Sequence, residues 1–346
     1  MRRNGRQVLQ RLLSRVVQVV PSIWIVIVNY RTADLVVDCL HSIKAQFHMT
    51  PALRAVVVDN DSRDGSAEKI LGAIAQKGWH EWATVIPSNR NGGFAFGNNI
   101  AIREALLENG HVDYVVCLNP DTTAHTGAIR ALVDFMDANP SAGIAGSRIE
   151  NAEGKTECSA HNALSPLGEL VSSARVGILS RVLRRYDVSP PMQEAIAHRC
   201  DWVSGASFIV RREVFEQIGL LDEGYFLYFE EVDFCTRARK AGWHVWFVPE
   251  SRIVHFEGAS TGIQSVARRR PSYWYQSRRR YFVKHFGVLG LIFADILWAI
   301  GRGSLNLRRV LKPGSGGKEQ DPKWFALDLL WGDLRAFFSR EIRGIR

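Results

Sequence analysis

Acidic residues that directly follow apolar stretches are the feature of this sequence that points most clearly to chemistry. The stretch Tyr114–Leu118 runs into Asn119-Pro120-Asp121, and the stretch Arg54–Val58 runs in the same way into Asp59. Open α/β sheets bind ligands at the edge where the carboxyl ends of their strands meet the loops. Two acidic strand ends therefore predict one shared polar pocket.

A third acidic cluster, Glu230, Glu231 and Asp233, lies between aromatic residues and a predicted helix that runs to Lys240. If this segment lines a pocket, the aromatic neighbours partly desolvate the carboxylates and raise their pKa towards the range of a general base. The alternative is a solvated helix N-terminus, where the helix dipole favours acidic residues.

Apolar β-branched stretches alternate with helical patterns from Pro21 onward, which predicts an α/β fold whose mostly parallel sheet is flanked by helices. The predicted strands are 23–28, 55–58, 84–86, 114–118, 143–147, 207–210 and 245–248. The predicted helices are 33–45, 66–77, 98–109, 126–138 and 213–219. The part up to about residue 125 has a nucleotide-binding layout.

The glycine-rich segment Asn91–Gly97 lies between a predicted strand and a predicted helix. A dinucleotide-binding fingerprint requires glycine where this chain has Phe94, which argues against a dehydrogenase. Gly93 and its glycine neighbours still permit a tight turn and a close approach of the backbone to a ligand. Asn98 and Asn99 are predicted to cap the following helix.

The composition is that of a globular enzyme with a sizeable core. The chain has 346 residues, of which 46% are hydrophobic, and its mean hydropathy is −0.09. One large domain, or one domain with appendages, fits this length. The five cysteines are scattered without paired spacing, so neither a disulfide framework nor a zinc site is indicated, and a reducing cytoplasm fits best.

The net charge of +9 is unevenly distributed. Residues 1–20 carry five Arg and no acid, residues 21–250 carry 21 basic against 28 acidic residues, and residues 251–346 carry 18 against 7. Basic flanks indicate nucleic acid or an anionic membrane surface as partner. Apolar residues recur at helical spacing between the arginines of residues 1–20, which favours a membrane-surface helix over a docking helix or a tail.

The other flank contains the apolar stretch 288–300, which is followed by Arg302, Arg308 and Arg309. It is shorter than the roughly 20 residues that cross a bilayer. We therefore expect it to lie in the membrane interface, with Trp298, Trp324 and Trp331 as anchors, or to be an ordinary core helix. The arginine runs 268–270 and 278–280 are expected to bind a lipid-linked diphosphate or lipid headgroups, or to form a solvated basic face.

These patterns predict three parts. Residues 1–20 form a basic amphipathic helix, residues 21–286 form the catalytic domain, and residues 287–346 form a helical extension at the membrane interface. Within residues 21–286, a nucleotide-binding half up to about residue 125 is followed by a second half from about residue 126, which the resemblance described next implies to be the acceptor half.

Six motifs occur in order across residues 23 to about 286, and together they resemble glycosyltransferase family 2. The closest likeness is to bacterial rhamnosyltransferases of cell-surface polysaccharide synthesis, through residues 215–231 and His255-x-x-Gly258-x-Ser260. The six motifs are Val28-Asn29-Tyr30, Asp59-Asn60-x-Ser62-x-Asp64-Gly65-Ser66, Asn91–Asn99, Asn119-Pro120-Asp121, Trp202-x-x-Gly205-Ala206 and Glu230-Glu231-x-Asp233.

The resemblance implies a GT-A fold and an inverting, metal-dependent transfer of a sugar from a nucleoside diphosphate to an acceptor hydroxyl. The implied donor is dTDP-L-rhamnose, with a UDP-sugar as the alternative, and the implied metal is Mg²⁺ or Mn²⁺. Asp121 is the expected metal ligand, and His255 is expected to join it, although a lone histidine is more often structural. The family's D-x-D motif has Asn119 at its first position here.

The same resemblance implies roles for the remaining motif residues. Asp59 is expected to accept a hydrogen bond from the pyrimidine of the nucleotide, and Glu231 is expected to be the base, with Glu230 and Asp233 next. The family usually has Glu-Asp where this chain has Glu-Glu. The residues expected to bind the nucleotide sugar are Asn29 and Tyr30 near the base, together with Asp59, Asn91, Gly93, Asn119, Asp121, Trp202 and Gly205.

The predicted function is a peripheral transferase on the inner, cytoplasmic face of the cell membrane. Its expected partners are a nucleotide-sugar donor, a lipid-linked glycan acceptor and an anionic membrane surface, while nucleic acid is not expected and homo-oligomerisation is left open. The rival functions are a nucleic-acid-binding protein that uses the arginine and aromatic runs, a sugar nucleotidyltransferase, and a membrane scaffold with an inactive site. No triphosphate-binding glycine-lysine loop supports the nucleotidyltransferase.

Overall fold

All seven predicted strands are present in the computed structural model of the chain. The structure describes residues 20–47, 52–107, 112–175, 182–190, 194–256, 269–311, 321–339 and 342–345. The helix predicted for residues 1–20 therefore lies outside the described residues, apart from Val20. Three residues of the predicted motifs, Gly258, Ser260 and Arg268, also lie outside them.

The elements follow one another in the alternation that the sequence predicts. The first half contains β1 (Ile23–Asn29), α1 (Ala33–Phe47), β2 (Leu53–Asp59), α2 (Ser66–Gln76), β3 (Ala83–Pro87), α3 (Gly93–Leu107), β4 (Tyr114–Leu118), β5 (Thr122–Ala124), α4 (Ala128–Ala138) and β6 (Ala142–Glu150). The second half contains β7 (Thr156–Glu157), β8 (Ala160–His161), α5 (Pro166–Ala174), β9 (His198–Cys200), β10 (Trp202–Val203), β11 (Ser207–Arg211), α6 (Arg212–Ile218), α7 (Glu230–Lys240), β12 (His244–His255), α8 (Ser272–Leu311) and α9 (Phe325–Phe338).

The main sheet of the described chain has the strand order β3-β2-β1-β4-β11-β6-β12-β5. Strand β1 is parallel to both β2 and β4, so Asn29 and Asp59 stand side by side at the carboxyl edge. Strand β11 runs antiparallel between β4 and β6. The sheet is therefore mixed, and four of the seven neighbouring pairs in this strand order are parallel. The sequence could not predict the direction of β11, because an apolar stretch carries no sign of its direction.

Alternate side chains of each central strand enter separate cores on the two faces of the sheet. In β1, Ile25 and Ile27 pack with helices α1, α2 and α4, whereas Trp24 and Val26 pack with α3, α6 and α7. Burying each such side chain contributes roughly 1.5–3 kcal/mol. This packing holds the carboxyl ends of β1, β2 and β4 at one rigid edge.

Two predicted boundaries are wrong. Helix α3 begins at Gly93 rather than at Asn98, so Asn98 and Asn99 lie inside the helix and do not cap it; the Asn99 side chain instead donates to the carbonyl oxygen of Leu221 at 2.8 Å. Strand β12 continues to His255 rather than ending at Val248, past an irregularity between Val248 and Arg252. Polar residues there interrupt the apolar pattern but not the strand.

Helix α8 and the arginines of its first half pack differently from the prediction. The helix bends at Gly287, whose φ is 72°, and Arg278 is only 1% exposed. The guanidinium of Arg278 lies 2.8 Å from a carboxylate oxygen of Asp295 and 3.3 Å from one of Asp333. Arg279 also pairs with Asp333, and Arg280 pairs with Asp222. The run 278–280 therefore neutralises internal carboxylates and does not form a solvated or lipid-binding face.

The second half of α8 is longer than the apolar stretch that predicted it. The helix holds an 18-residue window of mean hydropathy 1.7, so by length and composition alone it could cross a membrane, contrary to the expectation from 288–300. Leu291 and Trp298 are nevertheless buried on the domain side, and Trp298, at 5% exposure, is not a membrane anchor. Trp324 and Trp331 are exposed, as an anchor requires.

Arg278→Ala should destabilise the fold strongly, because it leaves buried carboxylates without their cation. We expect the free energy of unfolding to fall by about 3–5 kcal/mol in urea titrations at pH 8. The control is Arg130→Ala, which removes an exposed i,i+4 pair with Asp134 and should cost less than about 0.5 kcal/mol. Equal effects of the two substitutions would show that the buried cluster does not hold α8.

Candidate active site

The carboxyl end of β2 is organised around the Asp59 carboxylate. This carboxylate accepts hydrogen bonds from the Asn29 side-chain amide at 2.6 Å and from the Ser62 hydroxyl at 2.5 Å. Asn29 is fully buried, and its carbonyl oxygen accepts from the backbone N–H and the hydroxyl of Thr32. Asn29 thus shapes the turn between β1 and α1 and holds Asp59 in place, and its expected position near the nucleotide base stays a prediction. Tyr30, at 40% exposure, is accessible to a ligand.

Asn60 joins the end of β2 to the glycine-rich turn, a role that the sequence analysis missed. Its side-chain amide donates to the Asn91 carbonyl oxygen at 3.0 Å and to the backbone carbonyl of Gly93 at 2.9 Å. Asn91 in turn accepts from the Gly93 backbone N–H. An asparagine that follows a carboxylate at a strand end was the available signal, but its partners are 31 to 33 residues away in sequence.

The glycine-rich turn contacts the loop that precedes α7. The backbone N–H of Phe94 donates to the carbonyl oxygen of Phe226 at 2.8 Å. Gly93 has φ +88°, and a Cβ atom there would lie 2.0 Å from the same oxygen. Glycine is therefore required at this position by both conformation and space, and the first acidic edge is connected to the third acidic cluster.

Glu230 and Glu231 begin α7 directly after two strained residues. Tyr228 and Phe229 have φ values of 69° and 71°, a left-handed conformation that is rare for aromatic residues and recurs at functional sites. A Cβ atom on Gly205 would lie 3.7 Å from the carboxyl carbon of Glu231, so the missing side chain leaves room beside this carboxyl group.

Burial changes the acidity of both glutamates. Desolvation raises the pKa of Glu231 to about 7, and desolvation together with the neighbouring Glu231 carboxylate raises the pKa of Glu230 well above its ordinary value. The Oε2 atom of each is buried and has no hydrogen-bond partner among the described residues. A carboxylate with this pKa and an unused oxygen is suited to take a proton near neutral pH.

Asp233 lies in a different environment from the two glutamates. It is fully buried and forms ion pairs with Arg237 at 2.8 Å and Lys284 at 2.9 Å, and it accepts from His285 at 2.8 Å. Although burial raises its pKa, the hydrogen bond to His285 and the two cations outweigh this and leave the pKa below its ordinary value. Such a carboxylate is a poor base, so Asp233 fixes α7 to α8 and is withdrawn as a candidate base.

Asn119, Asp121 and His255 meet at the end of β4. The Nε2 atom of His255 lies 3.2 Å from the Asp121 carboxylate and 3.4 Å from the Asn119 side-chain amide. The backbone N–H of Asn119 donates to the carbonyl oxygen of Ala206, the neighbour of Gly205, which connects this group to Glu231. The second and third acidic regions of the sequence therefore line one continuous edge.

This group was tested for its fit to a divalent cation. Asp121 is 1% exposed, so its buried charge requires a cationic or hydrogen-bonding neighbour. A carboxylate oxygen and an imidazole nitrogen suit Mn²⁺, and carboxylate with phosphate oxygens suits Mg²⁺. Within the described residues no cluster of three His, Cys, Asp or Glu side chains is found. Asp121 and His255 would fit a divalent cation as two of its ligands, and the other ligands would have to come from outside this pair.

The indole ring of Trp202 is fixed by a hydrogen bond at its N–H group and by stacking on one of its faces. Its indole N–H donates to the Asn162 carbonyl oxygen at 2.9 Å, and its ring stacks on His161 with centroids 3.8 Å apart. One face of the indole is thus occupied by protein. Trp202 and Gly205 remain candidates for the wall that contacts the sugar.

Comparison with known proteins identifies the kind of chain to which these features belong. The family model for glycosyl transferase family 2 matches residues 24–219. The N-acetylglucosaminyl-diphospho-decaprenol L-rhamnosyltransferase of Mycobacterium tuberculosis is 28% identical over 267 residues, covering 73% of this chain and 81% of the relative. The hexosyltransferase Agl10 of Haloferax volcanii is 32% identical over an alignment that covers 62% of this chain and 61% of the relative. The rhamnosyltransferase WbbL of Escherichia coli is 22% identical over an alignment that covers 47% of this chain and 61% of the relative.

Solved structures resemble the fold at low sequence identity. A mannosyltransferase from Pyrobaculum calidifontis, in complex with GDP-Man and Mn²⁺, has a TM-score of 0.53 at 17% identity and covers 94% of this chain and 83% of its own. GalNAc-T7 with UDP, GalNAc and Mn²⁺ has a TM-score of 0.56 at 16% identity, and the match covers 92% of this chain and 58% of GalNAc-T7. The predicted GT-A fold is confirmed.

Gly93→Ala should separate the two acidic regions by disturbing the contact with Phe226. The control is Gly65→Ala, because Gly65 has a similar φ of +81° but open space around it. We expect urea unfolding to show a loss for Gly93→Ala that exceeds the loss for Gly65→Ala by at least about 1–3 kcal/mol, the cost of overpacking. A loss no larger than that of Gly65→Ala would contradict the close approach at Gly93.

Proposed function

Because the chain belongs to glycosyltransferase family 2, we propose that it transfers L-rhamnose from dTDP-L-rhamnose to a hydroxyl group of a lipid-linked glycan, with inversion at the sugar carbon, in cell-surface polysaccharide synthesis. A UDP-sugar is the alternative donor. One observation carries this proposal. Glu231, whose carboxyl group has a raised pKa, and the Asp121–His255 pair both lie at the same edge of the sheet.

The proposed reaction needs a base on the side of the sugar away from the leaving group. Glu231 takes the proton of the acceptor hydroxyl as that oxygen bonds to the sugar carbon, and the bond from this carbon to the diphosphate oxygen breaks. The pair of electrons in the broken bond stays with the nucleoside diphosphate. Burial raises the pKa of Glu231, and the Glu231 carboxylate in turn helps to keep the pKa of the more deeply buried Glu230 well above its ordinary value, so that Glu230 stays protonated beside the base.

The proposed donor site uses the opposite end of the edge. Asp59, held by Asn29 and Ser62, is the group we propose to accept a hydrogen bond from the pyrimidine, and Tyr30 follows Asn29 in the chain. Asp121 and His255 would hold Mg²⁺ or Mn²⁺, which when bound neutralises charge on the diphosphate. The named Mn²⁺ complexes of the two structural neighbours support a divalent cation.

The choice of rhamnose and of a lipid-linked acceptor is supported by the relatives. Both the Mycobacterium tuberculosis and the Escherichia coli relatives are named rhamnosyltransferases, and the former is named for an acceptor with a diphospho-decaprenol. The free cysteines of the described chain accord with a reducing cytoplasm. We place the enzyme on the cytoplasmic face of the membrane on these grounds.

We further propose that residues 287–346 extend the transferase domain towards an anionic membrane surface. Helix α8 has one face packed on α5 and the domain, and both α8 and α9 carry large apolar side chains on their outer faces. An apolar face beside a protein-packed face is typical of a helix that lies in the interface. The exposed apolar residues are Leu289, Phe293, Ile296 and Ile300 of α8, and Leu327, Leu330, Trp331, Leu334 and Phe338 of α9.

Glu231→Gln should abolish transfer without unfolding the protein. We expect a loss of about 10²-fold or more in kcat, because the neutral amide cannot take the proton. In the wild type, kcat/KM should rise with pH through about 7 as Glu231 loses its proton. Both effects are measured by nucleoside diphosphate release with a lipid-linked acceptor.

Thermal unfolding supplies the control for this substitution. The folded pKa of Glu231 is raised, so its contribution to stability is present at low pH and is lost as pH rises through about 7. Glutamine removes that loss, so Glu231→Gln should melt at or above the wild-type temperature at pH 8. An active Glu231→Gln enzyme would exclude Glu231 as the base.

Asp121→Asn should remove the metal-dependent part of nucleotide binding. In the wild type we expect dTDP to raise the melting temperature when Mn²⁺ is present and much less with a chelator. The variant should lose this increment, whereas Asp134→Asn, an exposed carboxylate on α4, should keep it. A full Mn²⁺-dependent shift in Asp121→Asn would place the cation elsewhere.

A further inference from the structure

Helices α8 and α9 line a cavity whose residues have no role in the donor site or in the proton transfer described above. Its volume is about 580 Å³. Its described lining includes four arginines, Arg269, Arg270, Arg279 and Arg335, and one acidic residue, Asp328. The cavity is thus strongly basic, unlike the acidic sheet edge.

Part of this positive charge is already neutralised, and part is available. Asp328 accepts from Arg269 at 2.7 Å, and Arg279 pairs with Asp333 at 2.7 Å. Arg270 and Arg335 form no ion pair with the described residues, and the Nε atom of Arg270 is buried without a hydrogen-bond partner among them. The buried Nε atom of Arg270 is therefore a donor for which a bound anion would supply the acceptor, and Arg335, which is exposed, adds positive charge to the lining.

A buried hydroxyl group on the cavity wall also lacks a partner. Tyr275 is 5% exposed, and its hydroxyl forms no hydrogen bond with any residue that the structure describes. Burial raises the pKa of Tyr275 to about 12, so the hydroxyl is protonated and can donate. Leaving such a group unsatisfied is costly, so a ligand that accepts a hydrogen bond fits the site.

The cavity adjoins both the proposed active site and the apolar outer face. Tyr273, two residues before Tyr275, packs on Phe226 with ring centroids 5.4 Å apart, and Trp274 packs on Phe229 at 5.7 Å, immediately before Glu230. On α9, the cavity residues Asp328 and Arg335 are each one position from the exposed apolar stripe that includes Leu327 and Leu334. That offset is about 100° around the helix.

We propose that this cavity binds the diphosphate group of the lipid-linked acceptor, with the lipid chain along the apolar face of α9 and the sugar directed towards Glu231. Arg270 and Arg335 supply the charge, and the Tyr275 hydroxyl donates a hydrogen bond. Guanidinium groups match phosphate oxygens in geometry and charge. The inference rests on the proposed function, because it takes the acceptor to be a lipid diphosphate.

Calorimetric titration of the full chain with farnesyl diphosphate tests the proposal. We expect Arg270→Gln and Arg335→Gln each to weaken binding by about tenfold or more, and Tyr275→Phe by about two- to tenfold, since charged hydrogen bonds are the stronger ones. Tyr275→Phe removes a hydroxyl that bonds to no described residue, so it should fold even if an arginine variant does not. Arg130→Gln, on α4, is the matched control and should bind as the wild type does.

The other arms identify the source of the phosphate. Pyrophosphate should compete with farnesyl diphosphate, and farnesol should not. Unchanged farnesyl diphosphate affinity in all three cavity variants would overturn the proposal. The proposal would also be overturned if phosphatidylglycerol vesicles bound the protein in a way that depends on Arg270 and Arg335 and farnesyl diphosphate did not bind. The cavity would then be a site for lipid headgroups.

The same protein preparations separate this inference from the proposed function. Stabilisation by dTDP with Mn²⁺ reports on the donor site alone. If the wild type shows no such stabilisation, the proposed function fails. If the stabilisation is present and the cavity variants bind farnesyl diphosphate normally, only the acceptor site is wrong.

Discussion

The burial of two adjacent carboxyl groups at the start of α7 is the constraint on which the site depends. Glu230 and Glu231 repel each other and lose hydration, so their ionisation near neutral pH is opposed by the fold. The left-handed backbone at Tyr228 and Phe229 and the absent side chain at Gly205 keep the pair in this position. Burial raises the pKa of Glu231 to about 7, which is the range that the proposed base requires.

The carboxylates next to the Glu230-Glu231 pair are, in contrast to the pair, neutralised by cations. Asp233, three residues after Glu230, is fully neutralised by cations from α7 and α8, so the helix that carries the pair is locked to α8. Arg278 joins the two halves of α8 through Asp295 and joins α8 to α9 through Asp333. The Oε2 atoms of Glu230 and Glu231 have no hydrogen-bond partner among the described residues, whereas Asp233 and Arg278 each have several.

Much of this arrangement could be predicted from the sequence, because it depends on local pattern. Asp59 and Asp121 follow apolar strands, and that placement indicates the edge of a sheet, whereas the aromatic residues before Glu230 and Glu231 indicate a pocket wall at the start of a helix. The strands could be predicted for the same reason. Asn60 could not be assigned, because its hydrogen bonds join residues about 30 positions apart, and nothing in a local pattern specifies such contacts.

The wrong expectations share a physical cause. A run such as Arg278–Arg280 reads as a basic face, yet its fate depends on carboxylates of α5, α8 and α9 that only folding brings near. The type and position of Asp233 likewise suggest a base, whereas its ion pairs with Arg237 and Lys284 make it a poor one. Glycines before Asn98 and Asn99 are typical of a turn, but Gly93 and Gly97 belong to the first turns of α3, so the two asparagines lie inside the helix.

Infrared titration of the carboxyl groups tests the central claim most directly. The difference between wild-type and Glu231→Gln spectra isolates the protonated carboxyl band of Glu231 as pH is varied. We predict that this band disappears with a midpoint near pH 7. A midpoint near 4.5, the ordinary value for glutamate, would contradict the account, because the buried pair would then not exist as described.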